Sequence, residues 1–158
     1  MQNMEGFILI NLYALLLISF VSIVFFSKKR LKQVENNLYG KSVDVIGNIF
    51  SLTYLQNRGA AWGIFSSNEW ILKIFTPLLI IAVIIFVYKI SKTRLEFIFG
   101  GLIVGGAISN FLDRIIRGYV VDFLDFKFWP IFNIADICIV IGCLSIIILA
   151  WIKERNNK

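Results

Sequence analysis

Residues Phe132–Ile152 read FNIADICIVIGCLSIIILAWI, and Lys153, Glu154 and Arg155 close the run. After Asp136 it carries no charge. A helix of about 20 apolar residues spans the ~30 Å hydrocarbon core of a bilayer. A helix is the economical spanning form because every backbone N–H and C=O is satisfied within the segment. The acid near the mouth of the run is the informative exception. A carboxylate at membrane depth costs at least about 2.5 kcal/mol even on insertion scales, so it is a functional candidate by default.

Three further apolar runs lie upstream, about residues 7–26, 71–88 and 95–112. Lys28, Lys29 and Arg30 follow the first, and Lys89, Lys92 and Arg94 follow the second. The first run is longer than a secretory h-region, lacks a basic stretch before it, and has no small-x-small cleavage site after it. It is read as a retained helix. The sequence thus predicts a membrane α-helical protein, one integral membrane domain over residues 1–158, with four transmembrane helices (7–26, 71–88, 95–112, 132–152).

Composition agrees with that class. Hydrophobic residues make up 58% of the 158, and mean hydropathy is +0.80. The formal charge of +6 is not arranged as a nucleic-acid stripe. Its cations flank apolar runs, the pattern of headgroup anchoring and topology control, so no nucleic-acid partner is expected. With no histidine in the chain, Ser-His and Cys-His nucleophilic systems are excluded and a zinc site is not expected. Cys138 and Cys143, five apart in one apolar run, read as packing residues.

Between the first two runs the chain changes character. Ser42–Ile46 and Ile49–Leu55 are β-branched and aromatic with partial alternation, separated by Gly47-Asn48. They predict a small hairpin or sheet at the membrane surface within residues 40–65. In the third helix, Gly101 and Gly105 have the small-xxx-small spacing that lets helix backbones approach.

Four of the ten acids (Asp113, Asp122, Asp125 and Asp136) cluster between the end of the third helix and the start of the fourth. Asn110 and Asp113, and again Asn133 and Asp136, are three apart and share a helix face. The two helices are consecutive and antiparallel, so both pairs are expected at the same membrane face. Asp113 precedes Arg114, which points to an ion pair. Asp122 lies in Val120-Val121-Asp122-Phe123, where desolvation favours the neutral acid and a second carboxylate nearby favours it further. Two readings follow. Asp122 and Asp136 form a proton-sharing dyad of the aspartic-protease kind, or Asp122 and Asp125 are solvated loop acids with Asp136 favoured by its helix dipole. An ion or proton pathway through membrane acids is a third reading. It leaves the Asn57–Gly63 block and the hairpin unexplained.

Three blocks also match a family. Asn57-Arg58-Gly59-Ala60-Ala61-Trp62-Gly63, then Gly105-Gly106-Ala107-Ile108-Ser109-Asn110-Phe111-Leu112-Asp113-Arg114 running on to Val120-Val121-Asp122-Phe123, then Pro130-Ile131-Phe132-Asn133-Ile134-Ala135-Asp136. In order and spacing the chain resembles the lipoprotein signal peptidases (signal peptidase II). These are four-helix aspartic proteases that cleave diacylglyceryl-modified prolipoproteins before the lipidated cysteine. The resemblance implies Asp122 and Asp136 as the catalytic pair. It implies Asn57, Gly59, Asn110, Asp113, Arg114, Asn133 and Ala135 as pocket-shaping and substrate-holding positions, and Lys28 as a further one.

The resemblance further implies lipid-modified prolipoproteins and membrane lipids as partners, no cofactor or metal, and a monomer in the bacterial cytoplasmic membrane. Both termini would be cytoplasmic and the site extracytoplasmic. The basic clusters alone leave that orientation ambiguous, since Lys28–Lys32 opposes Lys89–Arg94 and the tail. One position departs from the family: Val24 stands where an Asp is usual near the end of the first helix. That departure motivates an alternative, a non-catalytic lipoprotein-binding relative with a degenerate first helix.

Overall fold

The computed structural model describes residues 42–59 and 69–157. The first apolar run, with Val24 and Lys28, lies outside them, as does the Ala60–Gly63 part of the first block. In chain order the described elements are β1 (Ser42–Ile46), β2 (Phe50–Asn57), α1 (Glu69–Ile90), α2 (Arg94–Arg117), β3 (Val120–Phe126) and α3 (Ile134–Asn156). All three helices are long and apolar enough to cross a membrane. They correspond to the second, third and fourth predicted spans.

The 22 residues of α1 rise about 33 Å, a full hydrocarbon core. Its outward side chains (Phe75, Leu79 and Phe86 among them) are exposed, as a lipid-facing surface requires. Each later helix is started by its sequence. Thr93 caps α2, its hydroxyl accepting from the Glu96 N–H while the Glu96 carboxylate accepts from the Thr93 and Lys92 N–H groups. Asn133 and Asp136 form the same reciprocal box at the start of α3, satisfying backbone donors that a helix start leaves open.

α2 runs to Arg117, five residues beyond the predicted end at Leu112. The charged residues that look like an exit from the membrane are part of the helix because their side chains find partners inside the protein. Gly118 then stops it, with φ +81 and its N–H on the Arg114 carbonyl. This left-handed cap favours glycine.

The predicted hairpin is present and antiparallel, with Val43 opposite Leu52 and Ile46 opposite Phe50. It is not the whole sheet. A third strand joins from the α2–α3 connection, giving the order β1-β2-β3. Phe50 pairs with Phe126, Leu52 with Leu124, Leu55 with Asp122 and Asn57 with Val120. One sheet face therefore carries Asn57 and Asp122 at one end and Leu52, Leu124, Phe50 and Phe126 towards the other. Phe132 closes the β3 edge, exchanging backbone hydrogen bonds with Leu124 and stacking on Phe126.

α2 and α3 pack closely along glycines. A Cβ at Gly106 would stand 2.5 Å from the Ala135 carbonyl oxygen, and one at Gly142 2.6 Å from the Phe99 carbonyl oxygen. Gly100 meets Val87 of α1 in the same way. Gly106→Ala must push the first turn of α3 away from α2, because backbone cannot yield as a flexible side chain can. It is expected to cost about 1–3 kcal/mol, read as a lowered Tm of the purified protein.

Candidate active site

Four elements converge on two carboxylates. β2 ends at Asn57, β3 supplies Asp122, α2 supplies Asn110 and Arg114, and the capping box of α3 supplies Asn133 and Asp136. Asp122 is 2% exposed and Asn133 fully buried.

Three asparagines bind these acids, and each amide is oriented by its own oxygen. The Asn57 oxygen accepts from the Gly59 N–H at 3.0 Å, so its NH2 group faces Asp122 Oδ2 at 2.9 Å. The Asn133 oxygen accepts from the Ala135 and Asp136 N–H groups. Its NH2 group therefore turns to Asp122 Oδ1 at 2.7 Å and the Asn110 oxygen at 3.2 Å. The Asn110 NH2 group donates to Asp136 Oδ1 at 2.7 Å, and the Asn133 N–H donates to Asp136 Oδ2 at 3.0 Å. Every oxygen of both carboxylates thus has an N–H donor. Asn133 contacts both acids, one through its side chain and one through its backbone.

Arg114 closes the ring. Its guanidinium donates to the Gly59 carbonyl at 2.8 Å and the Asn110 carbonyl at 3.3 Å. It thereby ties the turn after β2 to α2, and its charge acts on Asp122, Asp136 and Asp113. Ala135 has no exposed surface. Its carbonyl is what a Gly106 Cβ would strike, so both positions hold small residues for one packing reason.

Of the predicted residues, the structure brings together Asn57, Gly59, Asn110, Arg114, Asn133, Ala135, Asp122 and Asp136. Asp113 goes elsewhere. Its ion pair is with Arg117 at 3.0 Å, not the expected one with Arg114. Adjacent helical residues diverge around the helix, whereas residues four apart face each other. The solvated-loop reading of Asp122 and Asp125 also fails, since both are buried strand residues. The dipole reading of Asp136 holds beside the network, because the same carboxylate caps α3.

Arg117 was missed as a site neighbour, although its four-residue spacing from Asp113 was visible in the sequence. The environment of Asp125 was also missed. Lys127 and the Thr53 hydroxyl each lie 2.8 Å from its carboxylate, and the Lys127 hydrogen bond, helped by Thr53, holds that carboxyl below the usual carboxylate range. A carboxyl lowered on folding contributes stability above its unfolded pKa, about 3.9, and loses it as pH falls through the folded value. Asp125→Asn is therefore expected to flatten the acid limb of a Tm-versus-pH curve below about pH 4.

Membrane-length helices meeting a sheet at two amide-bound carboxylates, Asp122 buried on β3 and Asp136 partly exposed at the start of α3, define an integral membrane protein with an aspartate centre. A family model described as signal peptidase (SPase) II matches residues 16–152. The lipoprotein signal peptidase of Halothermothrix orenii is 40% identical over 126 residues, covering 80% of this chain and 87% of that one. The lipoprotein signal peptidase of Clostridium acetobutylicum is 39% identical over 134 residues, covering 81% and 83%. A solved bacterial membrane enzyme, obtained by the in meso method at 2.3 Å resolution, matches with a TM-score of 0.75 and 33% identity over 90% of each chain. A second, at 1.9 Å, matches with a TM-score of 0.70 and 34% identity over 85% of this chain and 91% of the other. The chain belongs to the signal peptidase II family. It is a bacterial membrane protein of a protease family.

Proposed function

We propose that the chain is an aspartic endopeptidase that removes the signal peptide from diacylglyceryl-modified prolipoproteins, cutting before the lipidated cysteine, with Asp122 and Asp136 as its catalytic pair. The observation that carries this reading is Asn133, a single residue whose amide holds Asp122 and whose backbone holds Asp136. Two carboxylates so linked suit a shared proton. One takes a proton from water as that water attacks the scissile carbonyl, and the other donates to the carbonyl oxygen. The proton gained from water then passes to the leaving amine.

Asn57, Asn110 and Asn133 fix the carboxylates before substrate arrives, which removes reorganisation from the barrier. Arg114 holds the Gly59 turn against α2. Asp113 acts through the backbone of β3, and Lys28 is assigned only by the family pattern. This chemistry uses no metal or organic cofactor, and one chain supplies both acids, so a monomer suffices.

The substrate's acyl chains confine it to the bilayer, and the exposed apolar helix faces suit contact with those chains and with membrane lipids. For orientation, Lys89, Lys92, Arg94, Lys153 and Arg155 lie at the helix ends opposite the acids. The preference of Lys and Arg for the inner face supports the orientation that the family pattern implies, with that end and both termini cytoplasmic and the acids extracytoplasmic.

The test is turnover of a synthetic diacylglyceryl-cysteine peptide by the full chain in lipid bilayers, beside its unlipidated twin. Cleavage of the lipidated peptide in strong preference is expected. Binding without cleavage favours the non-catalytic alternative raised by Val24, and equal cleavage of the twins overturns the lipid assignment.

A further inference from the structure

We infer that Arg117 is a positioning residue for the reaction, setting the place of Asp122 through Asp113 and the backbone of Val121. Its guanidinium meets Asp113 Oδ1 at 3.0 Å, with the two side chains 7% and 0% exposed. The other Asp113 oxygen accepts from the Val121 N–H at 3.4 Å. Only Gly118 and Tyr119 separate the end of α2 from the start of β3. Gly118 there takes a left-handed conformation, its N–H on the Arg114 carbonyl. The Asp113 carboxylate adds a side-chain bridge from helix to strand, one residue before Asp122.

An ion pair this buried stabilises little in itself, but removing one partner leaves a buried charge uncompensated. Without Arg117 the Asp113 carboxylate must turn towards another cation or towards water, and the Val121 N–H loses its acceptor. Asp122, the next residue along β3, then shifts against Asn133. The shift alters the reacting pair rather than the apolar helix faces offered to the lipid, so the effect is expected in kcat more than in KM.

The experiment uses the full chain in bilayers, with Arg117→Gln, Arg117→Lys and the pair Asp113→Asn with Arg117→Gln. The first readout is amide hydrogen exchange over residues 118–123. The second is kcat and KM on the diacylglyceryl-cysteine peptide. This second arm rests on the protease reading, and the exchange arm stands without it. Arg117→Gln is expected to speed exchange over 118–123 and lower kcat about 10- to 100-fold, with KM changed by less than about threefold. Arg117→Lys restores most of both. The paired variant removes the buried charge, and so recovers part of the loss; it also carries the test if Arg117→Gln fails to fold. Unchanged exchange overturns the inference whether or not the wild type cleaves. So does a wild-type kcat in Arg117→Gln, or a paired variant no better than a measurable Arg117→Gln.

Discussion

Asp122→Asn and Asp136→Asn are each expected to lower kcat about 10³-fold or more, the scale of general acid–base catalysis, while the protein still inserts and folds. Asparagine keeps the shape of aspartate and one accepting oxygen, but it cannot exchange a proton with water or carbonyl. At Asp122 both oxygens accept amide donors, from Asn57 and Asn133. The substituted amide thus sets one NH2 group against another, at a cost of about 1–3 kcal/mol. That lowers Tm without unfolding the domain. Binding of a fluorescent diacylglyceryl-cysteine peptide is expected to survive, because the lost interaction is one made in the transition state. Turnover at the wild-type rate by either variant removes that residue from the pair.

Asn133→Ala is expected to be nearly as severe, for two separable reasons. The residue caps α3, its oxygen accepting from the Ala135 and Asp136 N–H groups, and losing such a cap costs about 1 kcal/mol. Its amide also donates to Asp122 and Asn110, so its removal takes one of two amide donors from the first acid and slackens the holder of the other. A misplacement on the order of 1 Å can cost about 10²-fold in rate, which is the fall in kcat expected here. Asn133→Ser separates the two roles. Serine caps about as well as asparagine but cannot reach as an amide does, so Tm should return while kcat stays low. Recovery of both would reduce Asn133 to a cap.

The membrane helices were legible because hydropathy is a local signal summed over twenty residues, and α1, α2 and α3 lie where the runs place them. The end of α2 was not legible. Asp113, Arg114 and Arg117 resemble a step into water, and only tertiary contacts make charged residues tolerable there, with Asp113 fully buried. β3 was hidden for a different reason. Its partner β2 lies more than sixty residues upstream, as the Asn57–Asp122 contact shows, and nothing local in VVDFLDF announces that pairing.

The repeated Asn-x-x-Asp spacing carried half of its promise. In α3 the asparagine is the cap, so the aspartate three residues on folds back to it. In α2 the same spacing falls inside the helix, and Asn110 reaches across to Asp136 while Asp113 reaches along to Arg117. Identical sequence spacing therefore gave two site members from the pair in α3, and one site member and a brace from the pair in α2. The Val24 departure lies in the segment outside the described residues, so its weight rests on turnover.

The most direct test compares the wild-type chain with Asp122→Asn at equal amounts of folded protein, following a diacylglyceryl-cysteine peptide by mass spectrometry. The account predicts a wild-type product whose first residue is the lipidated cysteine, and no product above the enzyme-free background from the variant. Cleavage by the variant at the wild-type rate, or a wild-type cut at another bond, would contradict it.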